Sequence, residues 1–185
     1  MIFLGLGGNM PSRRFGAPRA TLEAALGALA QQGIGVRRRS RWYRSQPLPD
    51  DGQPWYVNGV AEIDTGLPPD ELLARLLEVE RQFGRQRRER WAPRVLDLDL
   101  LAYHQLANWD AVEPAAPVVP HPRLHERAFV LAPLAELAPE WRHPVLLRTV
   151  AEMLAALPPG QFVAPCEPHP GGGSAAPVAR AAPAR

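Results

Sequence analysis

The chain predicts an α+β fold: an antiparallel sheet in the ferredoxin-like order β-α-β-β-α-β, with helices packed on it and further helices toward the C-terminus. Three observations carry this. Short apolar stretches suited to strands alternate with two longer stretches that repeat at helical spacing. Glycine and proline fall between those stretches, where turns and helix ends are needed. Hydrophobic residues make up 46% of 185 residues, enough for one core in one domain.

The elements follow in order. Residues 2–7 read as a buried first strand ending at Gly7, Gly8 and Asn9. The alanine- and leucine-rich stretch 17–32 reads as a helix stopped near Gly33. A second strand is expected over 36–43, then the loop RSQPLPDDGQP, then a third strand in WYVNGVAEIDT. Pro68 and Pro69 open a second helix that ends at Gly84, following the preference for proline at a helix start and glycine just past its end. An arginine-rich loop leads to a fourth strand around VLDLDLLAY. Residues 108–125 are proline-rich and irregular, and helices are expected over 126–137 and 147–157. From Pro158 the composition turns to Pro, Gly, Ala and Ser, which buries too little apolar surface to order itself. The expected organisation is therefore a domain over 1–157 and a disordered tail over 158–185, with no internal repeat.

Composition excludes several function classes. The net charge is only +2, so the chain is no polycation built for nucleic acid. Its 21 basic residues are all arginine, which removes lysine-dependent phosphate loops and Schiff-base chemistry. The single cysteine, Cys166, closes no disulfide within the chain, as expected of a cytoplasmic protein. MIFLGLGGNM reads as a strand and not a signal peptide, and no stretch has the apolar length of a membrane span.

The chemistry concentrates in RWAPRVLDLDLLAY. Strand alternation puts Leu96, Leu98 and Leu100 on the core face and Asp97, Asp99 and Leu101 on the other. The two aspartates then lie about 6.5–7 Å apart along the strand. Like charges that close call for a cation or an arginine between them. Magnesium suits two carboxylates, because its remaining positions take water and substrate phosphates. Arg85, Arg87, Arg88, Arg90 and Arg94 crowd the preceding loop, and guanidinium forks suit phosphate oxygens. Trp91 offers a stacking face. A solvated acidic edge strand beside a solvated basic loop satisfies the same residues.

Other candidates stand further away. Glu80 falls within the apolar stripe of the second helix, near a C-terminus whose dipole disfavours it, so it needs a partner or must reach out to solvent. Tyr56 and Asn58 share one strand face, a ring beside a group that both donates and accepts. Phe129 is either a second wall or core, and His121 and Arg127 either reach a phosphate or lie on the surface. An RNA-binding module would need exposed aromatics where this sheet offers an acidic pair. A metal-dependent nucleotidyltransferase would use the same aspartates but release pyrophosphate.

Together these segments resemble the 6-hydroxymethyl-7,8-dihydropterin pyrophosphokinase family of folate biosynthesis. The resemblance rests on RWAPRVLDLDLL, FLGLGGN, YRSQPL, QPWYVNGV and VPHPRLHERAFVLAPLAELAP, and covers about residues 1–157. It implies diphosphoryl transfer from ATP to a reduced pterin with release of AMP, by a monomer that binds neither nucleic acid nor membrane. It implies two magnesium ions on Asp97 and Asp99, which act in catalysis with Arg85 and Arg94. Glu80, Arg85, Arg87, Trp91, Arg94, Leu100, His121 and Arg127 would form the ATP side. Ser45, Gln46, Pro47, Leu48, Tyr56, Asn58, Asp97 and Phe129 would form the pterin side, with Tyr56 and Phe129 sandwiching the ring. Loops around 45–53 and 85–93 would close over the substrates. The chain departs from the family pattern at Gly8, where serine is more usual, at Ala116, Val118 and Pro122, and in a shorter 85–94 loop.

Overall fold

The structure, a computed structural model, describes residues 1–47, 52–84, 94–110 and 117–166. Strand β1 (Ile2–Gly8) lies inside the sheet, antiparallel to β4 (Tyr56–Asp64) on one side and to β5 (Asp97–Tyr103) on the other. The far edge of β4 is shared by β2 (Gly35–Arg39) and β3 (Tyr43–Ser45), both antiparallel to it. Counting β2 and β3 as one interrupted strand, the order is fourth, first, third, second, which is the expected ferredoxin-like arrangement.

That interruption differs from the single strand expected over 36–43, and Gly59 explains it. The Trp42 ring lies over Gly59, where a Cβ would come within 2.7 Å of it. Ser40 bridges the break: its N–H donates to the Val60 carbonyl at 2.9 Å, and its hydroxyl oxygen accepts from the Val60 N–H at 3.1 Å.

Helices α1 (Pro18–Gln31) and α2 (Pro69–Gln82) cover one face of the sheet. There Ile2, Leu4, Leu6, Leu98 and Leu100 pack with Leu22, Leu29, Leu72 and Leu76. A short turn at Leu124–Glu126, then α3 (Ala128–Leu137) and α4 (Val150–Ala155), cover part of the other face. There Phe3, Val60 and Leu101 meet Leu131, Leu134, Trp141 and Met153. Helix α4 begins later than expected because Thr149 and Glu152 form a reciprocal capping box at its start. The register between β1 and β5 slips by one between Phe3 and Leu4, leaving Leu101 as the extra residue. The bulge lets Leu101 and Ala102 both face the second core.

The sheet also continues past residue 157, where composition alone places the start of the tail. Strand β6 (Val163–Pro165) pairs antiparallel with β3, and Val163 is fully buried against Tyr43, Ala128 and Ala132. Two apolar residues among prolines and glycines are too short a local signal; the open edge of β3 orders them. Residues 167–185 lie outside the described residues.

Candidate active site

Strand β5 delivers the two aspartates to the half-covered face. Asp97 is opposite Gly7 of β1 and Asp99 is opposite Gly5, while Asn58 of β4 faces Gly7 from the other side. Since both glycines lack side chains, neighbouring side chains lie directly against the β1 backbone: a Cβ on Gly5 would meet the Leu101 side chain at 3.4 Å. The cleft here is lined by Asp97, Asp99, Gly5, Gly7, Asn58 and Leu101, with Phe129 and Val130 of α3 above. Glycine at position 7 leaves room for the Asn58 amide: a Cβ would stand 2.9 Å from Asn58 Oδ1 and displace it.

Arginines compensate the two carboxylates. Arg94 Nη1 donates to Asp97 Oδ1 at 2.5 Å. Burial works against the Arg94 charge, but Asp97, then Asp99 and Tyr56, hold its pKa above the ordinary value. Arg127 Nη1 lies 4.0 Å from Asp99 Oδ2, and its guanidinium sits over the Phe129 ring, 5.6 Å from the centroid. Burial lowers the Arg127 pKa, and Asp99 opposes that effect. His121 lies in the same field: burial, then Arg127, push its pKa down to about 4. Its Nδ1 accepts the Arg123 N–H at 3.1 Å, so the neutral ring carries its proton on Nε2.

Glu80 acts from the closed face. It is fully buried, and Oε1 accepts the Leu98 N–H at 2.7 Å. Strand β5 is at the edge of the sheet, and this carboxylate supplies an acceptor there, fixing the strand between the two aspartates. On the opposite wall Asn58 is 5% exposed, and its Nδ2 donates to Ser45 Oγ at 2.8 Å. Tyr56, partly buried, precedes Asn58 by two residues on the same strand. Gln46 and Pro47 follow Ser45 directly.

The structure therefore brings Asp97, Asp99, Asn58 and Phe129 to one cleft, with Arg94, Arg127 and His121 in its charge field and Ser45 behind Asn58. Leu100 is not part of this set: its side chain turns to the α1–α2 face and is 5% exposed. Leu48, Arg85, Arg87, Trp91 and Ala116 lie outside the described residues, as does the loop over 85–93.

Sequence reasoning missed Asn9, which is 2% exposed. Its Oδ1 accepts the Arg94 N–H at 2.8 Å and its N–H donates to the Arg94 carbonyl at 2.9 Å. Its Nδ2 donates at 3.2 Å to both Gln53 Oε1 and the Pro54 carbonyl. One asparagine thus joins the end of β1 to the base of both loops beside the cleft. An asparagine directly after a glycine pair was the available signal, and it reads equally well as an ordinary turn.

Three comparisons bear on this geometry. The sequence profile of the 7,8-dihydro-6-hydroxymethylpterin-pyrophosphokinase (HPPK) family matches residues 3–139. A 2-amino-4-hydroxy-6-hydroxymethyldihydropteridine pyrophosphokinase of Methylorubrum extorquens is 43% identical over 158 residues, covering 85% of this chain and 93% of that protein. The protein of the same name from Synechocystis is 42% identical over 152 residues, covering 82% of this chain and 73% of that one. Among solved structures, a Plasmodium falciparum HPPK-DHPS triple mutant superposes with a TM-score of 0.62 at 14% identity, covering 82% of this chain and 43% of that longer one. That likeness is one of fold.

Proposed function

Since the chain belongs to the 7,8-dihydro-6-hydroxymethylpterin-pyrophosphokinase family, we propose that its cleft holds a reduced pterin against the Asn58 wall and ATP against the arginine wall. The enzyme is a pyrophosphokinase of folate biosynthesis. It transfers the β,γ-diphosphoryl group of ATP to the hydroxymethyl oxygen of the pterin. An O–Pβ bond forms, the bond from Pβ to the oxygen bridging to the α-phosphate breaks, AMP leaves with that oxygen, and the hydroxyl proton is released.

The observation that carries this assignment is that Asp97 and Asp99 share one cleft with Asn58 and Phe129, while Arg94 and Arg127 lie against the same two carboxylates. The donor set fits magnesium. Among the described residues no group of three or more His, Cys, Asp or Glu gathers to hold a metal. Two carboxylates therefore supply only part of a shell, and a hard cation that keeps waters and takes phosphate oxygens completes it. Asp97 and Asp99 would hold two such ions, which when bound neutralise charge on the transferring phosphates.

The chain's own residues do the rest by position and charge. Arg94 and Arg127 present guanidinium forks to the phosphates, joined by Arg85 and Arg87 of the preceding loop, while Trp91 lines the ATP side. His121, held neutral, offers its Nε2–H to a phosphate oxygen. Asn58 keeps Oδ1 and one N–H for the edge of the pterin, since Ser45 takes the other N–H. Tyr56 and Phe129 supply the flat apolar surfaces, and Gln46, Pro47 and Leu48 close the pterin end. Glu80 holds the strand that carries the aspartates. The enzyme works on two small substrates as a monomer, and in the cytoplasm, where its single cysteine would stay reduced. No helix among the described residues is long and apolar enough to cross a membrane.

The test is product identification after incubation with ATP, magnesium and 6-hydroxymethyl-7,8-dihydropterin. AMP and a pterin diphosphate are expected. Pyrophosphate with an adenylylated pterin would mean attack at the α-phosphorus and would overturn the reaction.

A further inference from the structure

Gln161 lies beyond the residues matched by the family profile, in a stretch whose composition reads as tail. Its side-chain amide makes two hydrogen bonds, one on each side of Arg127. Oε1 accepts the Ala128 N–H at 2.9 Å, and Nε2 donates to the Glu126 carbonyl at 2.8 Å. The amide thus brackets one residue as a neighbouring strand's backbone would. That residue carries the guanidinium beside Asp99 and over Phe129.

Gln161 is itself held. The Phe162 ring packs against Trp55, tilted by 55° with centroids 5.1 Å apart, and Val163 is fully buried where β6 pairs with β3. Val163 is opposite Ser45, the residue that receives the Asn58 amide. One short segment therefore fastens both walls of the cleft: the Ser45–Asn58 wall through the β6 pairing, and the Arg127–Phe129 wall through Gln161.

Arg127 needs this support. It is the N-cap of α3, where the backbone is extended as is usual (φ −115°, ψ 110°), but a guanidinium has no acceptor with which to cap the helix. The Ala128 N–H is one of the donors a helix start leaves without an intrahelical partner. Gln161 satisfies it from outside and fixes the direction in which the chain enters the helix, hence where Arg127 points.

We infer that Gln161 is a positioning residue for diphosphoryl transfer, acting through Arg127 on the phosphate side of the cleft. This rests on the role proposed for Arg127 above. A helix cap with no catalytic consequence would use the same two bonds, so stability alone does not separate the two ideas.

A double-mutant cycle does. Gln161→Leu, Gln161→Ala, Arg127→Ala and the Gln161→Leu/Arg127→Ala pair are compared in the full chain, well below the melting temperature of the weakest. KM and kcat are measured for ATP and for the pterin. Gln161→Leu and Gln161→Ala are expected to lower kcat/KM for ATP on the order of tenfold, less than the ~100-fold that a full 1 Å misplacement can cost. In the Arg127→Ala background the Gln161→Leu change should add almost nothing, because the residue it positions is gone. Wild-type kinetics for both Gln161 variants beside a damaged Arg127→Ala would overturn the inference and leave the Arg127 reading standing. So would an undiminished loss from Gln161→Leu in the Arg127→Ala background. Wild-type kinetics for Arg127→Ala would overturn both.

Discussion

On the sheet face toward α1 and α2, Leu98 and Leu100 of β5 are 3% and 5% exposed, packed in one cluster with Leu72 and Leu76. On the opposite face of the same strand the side chains of Asp97 and Asp99 are 22% and 40% exposed, each beside an arginine. The first face is closed by two full helices. The second is covered only in part, and over β1 it is floored by Gly5 and Gly7. A strand's alternation lets seven residues serve a dry core and a wet cleft together. The consequence is that stability and chemistry should respond to different substitutions only one residue apart. Glu80 is the crossing point: a carboxylate anchored in the closed face that holds the backbone of the open one.

The strongest separation is expected at the aspartates. Asp97→Asn or Asp99→Asn removes a charge aimed at metal and phosphate, and should lower turnover roughly 100-fold or more while thermal unfolding barely moves. If both variants turned over near the wild-type rate with magnesium, the open face would not be the catalytic one. The converse substitution is Leu76→Ala. A fully buried leucine becomes a cavity, so about 2–5 kcal/mol of stability should be lost in urea unfolding. The folded fraction should keep kcat within a few-fold; a parallel collapse of kcat would show that the two faces do not act independently.

Gly7→Ala sharpens the comparison with a smaller effect. The added methyl meets Asn58 Oδ1, and overpacking of about 1–3 kcal/mol should appear mainly as a raised KM for the pterin. An equal rise in the KM for ATP would argue that Asn58 does not sit on the pterin side.

The effect least tied to the two faces concerns pH. His121 beside the cleft and His143 buried behind it are each held at about 4 against an ordinary 6.5, chiefly by burial. As pH falls the unfolded chain takes up these protons first, so stability is complete above about 6.5 and is lost progressively toward about 4. Urea midpoints should be flat from pH 7 to 8 and decline through that window. Replacing His143 by Gln should flatten part of the decline. A profile without it would mean that both rings protonate freely in the folded protein.

Short-range pattern was enough for the order of the elements, because helical and strand periodicities are written within a few residues of each other. It was enough to put Asp97 and Asp99 on one face, since alternation requires it, and to mark Glu80 as a carboxylate that needs either a partner or a way out to solvent. It could not name that partner, because the Leu98 N–H is 18 residues away in the chain. Three features were decided by contacts between distant segments. The strand expected over 36–43 breaks because Trp42 needs the space above Gly59. Residues 163–165 become a strand because β3 presents an open edge. Asn9 and Gln161 become supports of the cleft because their amides meet backbone groups 85 and 33 residues away. An amide has no periodicity and can pair with any exposed backbone group, so its partner is chosen only when the tertiary fold brings one within reach.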